Sequence, residues 1–519
     1  WNAPHMAMHE GLKAVQMFEA IERGEIKALW VMATNPAVSL PRAGAMRDAL
    51  SRLELFVVSE NVLSNDTVNA GAHVLLPAAA WGEKDGTVTN SERRISRQRA
   101  FLPSPGEAKP DWWIVAQVAK HLGFEHAFKH SSAAEIFREH AGLSAFENEG
   151  TRDFDLGALA NIRDQSYETL EPVVWPAREG ENIGDQRFFA DGGFFTPDRK
   201  ARFIAPEFPV LRANTSNEYP FVLNTGRVRD QWHTMTRTGL SPRLALHAPE
   251  PFVEIHPDDA NSLSLGEFAR VSTAYGTGIF RVRVSKDQQR GSLFVPIHWS
   301  AETASAATAS ALVSPRTDPY SGQPEAKATP AAIAPAAYAW RGFALTRQAI
   351  DFSAETWWVR VALGGGIGTL IATNETPKNW RERASALLNN EDMAEFTDVR
   401  RGVFRAAAFR DGRLDAALFL GPADAAPSWD AVKMLFESQE LSPIERRMAL
   451  SGRAAGGLAD AGPVICACFG VGLHVIRDAI ASKGATSVDA IGKALRAGTN
   501  CGSCLPELTR IVHEHAEAD

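Results

Sequence analysis

Cysteine is scarce in this chain of 519 residues: there are four, Cys466, Cys468, Cys501 and Cys504, all near the carboxy terminus. Residues 1 to 465 therefore offer no thiolate to a soft metal and no partner for a disulfide. Positive charge is not in excess either. The 54 Lys and Arg face 62 Asp and Glu, a net charge of −8, which argues against nucleic acid as the main ligand, because phosphate-binding surfaces need a cationic surplus. Long apolar runs are missing too: the most suspicious, residues 361 to 373, is interrupted by three glycines, preceded by Arg360, and short of a membrane span. The opening WNAPHMAMHEG has no initiator Met and no basic-then-apolar leader pattern, so it reads as cut rather than begun. These absences predict a cytoplasmic protein with no nucleic-acid or membrane partner.

What is present is globular in character, 45% hydrophobic and 22% charged with both signs mixed. The length predicts roughly three to four domains of ordinary size. Apolar residues at helical spacing (Leu12, Val15, Met17, Phe18, Ile21) stop at Gly24 and are followed by a buried strand over 28–32 and a loop Thr34-Asn35-Pro36. The pattern repeats with a helix over 45–53, a strand over 55–58, a loop Ser59-Glu60-Asn61, and a strand over 72–76 ending in a loop at Pro77. Alternating helices and strands predict an α/β unit with a doubly wound parallel sheet, whose ligands sit beyond the carboxyl ends of the strands. After a loop WGEKDGTVTNSERRISRQR, Asp111 is expected to cap a helix running to Gly123.

The expected organisation is an α/β unit over 1–145, a connecting region over 146–217, a β-barrel domain over 218–335, a small α/β unit over 336–455 whose role the sequence does not disclose, and a small helical domain over 460–515. The barrel is read from YPFVLNTG, FARVSTAYG, IFRVRVS and SLFVPIHW, short β-rich segments between turn residues. Ala-rich stretches at 301–311 and 328–337 read as surface loop and linker, with a boundary near Pro335.

The terminal domain pairs Cys-x-Cys with a later Cys-x-x-Cys across a helical hairpin. Four thiolates in two close pairs suit a 2Fe-2S cluster, in which each iron takes two, and helix amino termini offset its negative charge. Tetrahedral zinc is the plainer alternative, although zinc ribbons favour Cys-x-x-Cys at both ends, and disulfides fit poorly in a chain with no leader. The stretch from Cys466 to Cys504 resembles the bacterioferritin-associated-ferredoxin-like 2Fe-2S module.

Three further segments, ALWVMATNPAVSLP, EKDGTVTNSERRISRQR and LNTGRVRDQWHTMTRTG, resemble the bis-molybdopterin guanine dinucleotide oxidoreductases of the dimethyl sulfoxide reductase family. With SPRTDPYSGQPEAKATP they are similar to its cytoplasmic, assimilatory nitrate reductase branch. The resemblance implies a double-psi-like barrel and a molybdenum bis-molybdopterin guanine dinucleotide cofactor. It implies that Thr34, Asn35, Pro36, Ser59, Glu60 and Asn61, with Asp66, contact one guanine dinucleotide arm, and that Gly86 and Thr87 line the path nearby. Thr225, Gly226, Arg227, His233, Thr234, Thr236 and Arg237 match a pterin-facing loop, with Arg237 also placed to attract nitrate. Gln323, Glu325 and Lys327 would close over a pterin arm. Amides, hydroxyls and permanently charged cations are what a pyrophosphate-linked guanine nucleotide needs. Each short segment alone is an ordinary turn, and Arg93, Arg94, Arg97 and Arg99 read as a solvated basic face. GGGIG at 364–368 does not complete a dinucleotide fingerprint.

The branch also carries a 4Fe-4S cluster and a molybdenum-bound cysteine, which are expected only in an amino-terminal part missing from this chain. The implied reaction is reduction of nitrate to nitrite by oxygen-atom transfer, with electrons from a donor such as an NADH-dependent reductase subunit, ferredoxin or flavodoxin. The competing readings are another molybdenum or tungsten oxidoreductase such as a formate dehydrogenase, and a noncatalytic iron-sulfur electron-transfer protein.

Overall fold

The amino-terminal helix α1 (Ala14–Glu22) turns Val15, Phe18 and Ile21 inward at helical spacing, and Gly24, at φ 75°, ends it. It packs on β1 (Ala28–Met32), the short α2 (Pro36–Ser39), α3 (Ala43–Leu50), β2 (Leu55–Glu60), α4 (Asp66–Asn69) and β3 (Val74–Pro77). The three strands form a parallel sheet in the order β1-β2-β3. Fully buried Leu50 and Phe56 sit in its core, each worth about 1.5–3 kcal/mol of burial. Two expectations shift here. Ser59 and Glu60 are the last residues of β2 rather than a loop, and Pro36 opens α2, where its missing N–H is not needed. The computed structural model describes all residues except 2, 182, 185–186, 208–212, 389–391, 454–460 and 517–519. The expected break between 455 and 460 lies outside the described residues.

The stretch expected as a loop after β3 is a hairpin, β4 (Gly86–Thr89) against β5 (Arg94–Gln98). Helices α5 (Asp111–His121), α6 (Ala133–Ala145) and α7 (Asp164–Glu168) follow, and β6 (Val173–Val174) pairs with β5. Asp111 does not cap α5; it is the first helical residue, after Pro110, and is paired with Lys84 at 2.9 Å. The arginines of the hairpin are not all a solvated face either. Arg97 has a side chain only 1% exposed, stacks 4.1 Å over Tyr167, and donates to the carbonyls of Gly86, Gln98 and Tyr167. Arg93 lies 3.8 Å over Phe188. Both guanidiniums join the hairpin to the connecting region.

Strands β7 (Phe221–Gly226), β8 (Phe252–Ile255), β9 (Phe268–Thr273), β10 (Gly276–Val284), β11 (Ser292–Pro296) and β12 (Thr329–Ala336), with helices α8 (Pro242–Ala245) and α9 (Pro257–Ser262), make a closed barrel in the order β10-β8-β11-β7-β12-β9. Two of its pairs are parallel, β7 with β11 and β8 with β10. The stretch at 328–337 is therefore not a linker: it holds β12, paired with both β7 and β9. Nor is 301–311 a surface loop throughout, since Ala304, Ala307 and Ala309 are buried in the barrel core with Trp299 and Leu312.

An antiparallel six-stranded sheet follows, with β13 (Trp340–Thr346), β14 (Trp357–Leu363), β15 (Gly366–Thr373), β16 (Met393–Asp398), β17 (Val403–Arg410) and β18 (Arg413–Pro422) in the order β14-β15-β13-β18-β17-β16. Helix α10 (Pro377–Leu388) covers one face through Trp380 and Ala384. Helix α11 (Asp430–Glu437) covers the other through Val432 and Phe436, with α12 (Pro443–Met448) following. The sheet shares a core with the barrel: Trp357 stands edge-on to Phe268, centroids 4.8 Å apart, and donates its indole N–H to the Ile279 carbonyl. Gly366 and Gly368 of the glycine-rich run lie against Phe436 and Trp429, where a Cβ would meet ring atoms at 2.6 and 2.5 Å.

The chain ends in β19 (Val464–Cys466), β20 (Val471–Gly472) and helices α13 (Leu473–Lys483), α14 (Val488–Leu495) and α15 (Leu505–Ala516) around a small core of Ile476, Ile491 and Leu508. Among the described residues no helix is long and apolar enough to cross a membrane.

Candidate functional site

Three of the loops singled out by sequence meet. Asn35, buried after β1, donates from Nδ2 to the Thr234 hydroxyl at 3.2 Å, while its Oδ1 accepts from Thr67 Oγ1 at 2.6 Å and Thr67 N at 3.2 Å. Asn61, with its amide oriented to suit its neighbours, accepts from Arg237 and donates to Glu60 at 2.9 Å. The ends of β1 and β2 therefore abut the loop after β7. Ser59, buried in β2, accepts from Trp30 Nε1 at 2.9 Å. Thr34 is exposed at this edge, beside the buried Asn35 and Pro36. Asp66, at the start of α4, is 3% exposed; its Oδ2 accepts from Ala301 N at 2.9 Å and from Arg47 at 3.1 Å, and its Oδ1 has no partner.

The loop after β7 is held by a residue that sequence reading missed. His298 is fully buried behind β11. Its Nε2 accepts from Val228 N at 2.9 Å, so its proton sits on Nδ1, which donates to the His233 carbonyl at 2.6 Å. Burial, helped by the nearby Arg227 charge, pushes its pKa below the ordinary imidazole value. With both ends of the loop tied to one ring, the backbone holds His233 at φ 40° and Met235 at φ 59°, a left-handed conformation that side chains seldom adopt. Arg227 lies 5.5 Å over Trp232, and His233, Thr234, Thr236 and Arg237 are accessible along the loop. Thr225 bonds the Ala326 carbonyl at 2.8 Å, and the Lys327 ammonium reaches the Thr225 carbonyl. Burial, then Arg227, lower the Lys327 pKa. Gly226 has no room for a Cβ, which would meet Phe294 at 2.6 Å.

Gly86 and Thr87 belong to the β4-β5-β6 sheet, opposite Gln98 and Arg97. Gln323 and Glu325 sit in a turn before β12, where Asp318 N bonds the Gln323 carbonyl at 2.8 Å and Glu325 N bonds the Arg316 carbonyl at 2.8 Å.

In the terminal unit the thiols stand as two pairs. Cys468 and Cys501 are 3.3 Å apart, sulfur to sulfur, at the outer edge; Cys466 and Cys504 are buried side by side. Burial and the neighbouring Cys466 push the Cys504 thiol up to about 11, while hydrogen bonds from Ser503 hold Cys501 below the usual thiol value. Such crowded thiols are what bound cations relieve, and two pairs divide naturally between two irons. Among the described residues no three His, Cys, Asp or Glu side chains gather at one point as a single-ion site. Gly470, Gly498 and Gly502 all have positive φ at the turns beside the thiols.

The molybdopterin oxidoreductase model matches residues 2–121, the molydopterin dinucleotide binding domain 221–330, and the BFD-like [2Fe-2S] binding domain 464–514. A nitrate reductase of Klebsiella oxytoca is 42% identical over 516 residues, covering 99% of this chain and 58% of the relative. The assimilatory nitrate reductase catalytic subunit of Bacillus subtilis is 35% identical, covering 56% of this chain and 40% of its own. The F420-dependent formate dehydrogenase subunit alpha of Methanocaldococcus jannaschii is 32% identical, covering 56% of this chain and 41% of its own. The chain thus spans about three fifths of the first of these relatives. It carries a molybdopterin oxidoreductase domain match on its parallel sheet, a molydopterin dinucleotide binding domain match on its barrel, and a BFD-like [2Fe-2S] binding domain match on its terminal thiol pairs.

Proposed function

We propose that this chain is the cofactor-closing and electron-accepting part of a cytoplasmic, assimilatory nitrate reductase. The observation that carries this reading is the alignment with the Klebsiella nitrate reductase across 99% of the chain, terminal thiols included, whereas the formate dehydrogenase matches 56%.

The residues suit a guanine dinucleotide of molybdopterin. Asp66 Oδ1 is a buried acceptor lacking a donor, which guanine N–H groups would provide. Thr34, Asn35 and Pro36 with Ser59 to Asn61 form the strand-end rim for one arm. Thr225 to Arg227 and His233 to Arg237 form the facing loop, with Lys327 beside it. Gly86 and Thr87 line the path nearby, and Gln323 and Glu325 close over the pterin arm with Lys327. When bound, the molybdenum centre supplies two-electron oxygen-atom transfer, in which nitrate, two electrons and two protons give nitrite and water. Arg237, accessible and held by Asn61, attracts the nitrate anion. Cys466, Cys468, Cys501 and Cys504 would hold the 2Fe-2S cluster, which would supply one-electron acceptance from a reductase subunit, ferredoxin or flavodoxin. Because these are the only cysteines, thiolate ligands for molybdenum and for a 4Fe-4S cluster come from outside these 519 residues.

The test is metal and pterin analysis of the whole gene product, with nitrate reduction driven by a dithionite-reduced viologen. Molybdenum, guanine-bearing pterin, about six irons and nitrite are expected. Pterin and molybdenum without nitrate turnover would move the substrate to formate or another small anion; zinc without molybdenum would end the enzyme reading.

A further inference from the structure

Arg229 lies in the same loop as Arg227, His233 and Arg237 but reaches the terminal unit. Its side chain is 18% exposed. It donates 2.8 Å to the carbonyl of Ile465, the residue before Cys466, and pairs with Glu507 in the first turn of α15, just past Cys504. It also pairs with Asp230 at 2.8 Å, and His247 completes a ring, 3.4 Å from Glu507 and 3.5 Å from Asp230. Three members of the ring come from the barrel and one from the terminal unit. The contacts fall beside the buried thiols, Cys466 and Cys504, while Cys468 is half-buried and Cys501 exposed.

We propose that Arg229 is a positioning residue that clamps the iron-sulfur unit to the barrel by its Cys466/Cys504 edge, leaving the Cys468/Cys501 edge outward for a one-electron donor. This rests on the reading that the thiolates hold a 2Fe-2S cluster and that the loop faces the pterin. The clamp gives the unit a direction. An external flavin or iron-sulfur donor would lose one electron at the outer edge to a cluster held by the four thiolates. A cluster held by these thiolates would supply one-electron relay, and Arg229 sets its Cys466/Cys504 side against the segment 227–237. A guanidinium next to an anionic cluster favours its reduced, more negative form. A partly buried ion pair of this kind is also costly to break, since the partner charge is stranded.

The experiment is hydrogen exchange by mass spectrometry and EPR-monitored redox titration on the whole metal-loaded protein, comparing wild type with Arg229→Gln, Glu507→Gln and the swap Arg229→Glu/Glu507→Arg. In Arg229→Gln, exchange in 464–466 and α15 is expected to quicken about tenfold while β7 to β12 stay protected. The oxidised-to-reduced ratio should rise about tenfold at fixed potential, roughly 59 mV for a one-electron couple. Glu507→Gln should quicken exchange by less and move the oxidised-to-reduced ratio the other way, because it removes a negative charge beside the cluster, and the swap should restore protection. Unchanged exchange and potential in Arg229→Gln would overturn the clamp, as would loss of protection across the barrel, which makes the residue a folding element. Exchange is readable whatever metal the thiols hold. A protein that keeps the clamp yet reduces no nitrate sinks the nitrate assignment and leaves the clamp standing.

Discussion

Asn35 and Thr234 touch across 3.2 Å, and this amide-to-hydroxyl bond joins the rim of the parallel sheet to the loop of the barrel. Asn35 also satisfies Thr67 at both N and Oγ1, so removing it strands buried groups. Asn35→Ala is expected to destabilise by about 2–4 kcal/mol, each stranded polar group costing about 1–3. Thr234→Val, which deletes only the bridge, should cost about 1 kcal/mol or less. A double-mutant cycle on denaturant unfolding checks whether the pair couples; additivity would show that the two walls are held together by other contacts.

His298 makes the loop acid-sensitive. Protonating Nε2 sets an N–H against the Val228 N–H, and burial already keeps the folded pKa below its unfolded value. In the window between the folded value and about 6.5 the unfolded chain binds the extra proton, so this stability is complete above about pH 6.5 and is lost as pH falls through that window. Melting temperatures of wild type and His298→Gln between about pH 8 and pH 5 should converge at the acid end, because the variant lacks this term. Parallel curves would mean that the ring does not titrate in the fold.

Arg97 binds three carbonyls with a side chain closed to water. Arg97→Ala should cost about 2–4 kcal/mol, because the carbonyls of Gly86, Gln98 and Tyr167 lose their donor and the Tyr167 ring loses its stacking partner, while Glu168 and Asp85 remain solvated. Arg97→Lys should recover less than half of this, since one ammonium cannot span the same acceptors. Thermal unfolding of the two variants decides it; equal behaviour of Lys and Arg would reduce the site to simple charge.

Stripping the metal from the terminal unit should expose its thiols unequally. Brief alkylation followed by peptide mapping is expected to label Cys501 first and Cys504 last, following their exposed and buried positions. Simultaneous labelling of all four would show that the unit unfolds without its metal.

Helix and strand alternation in 1–77 was legible because each element buries one face at its own period. The barrel strands showed for the same reason, and the thiol spacing announced the terminal unit. Composition misled elsewhere. Strand β12 reads TPAAIAPA, and Pro330 and Pro335 masked a strand that pairs on both sides. Alanines at 304, 307 and 309 read as surface filler, yet their small size is what lets that segment enter the barrel core. Thr67, His298 and Arg229 were missed because their meaning lies in distant partners: His298 ties a residue 70 positions away, and Arg229 one 278 away. Arg97 looked like a surface charge until Tyr167 and Glu168 were seen to enclose it.

The closure of the barrel also orders events during synthesis. Strand β7 finds one neighbour in β11 and the other only in β12, and Thr225 waits for a carbonyl 101 residues further along. Until that part of the chain has emerged from the ribosome, β7 presents an unpaired edge with apolar side chains, a species prone to stick to its own kind. The terminal unit, built from neighbouring helices, has no such delay. A cell that starves for chaperones should therefore lose this protein through its middle, while its last fifty or so residues still fold.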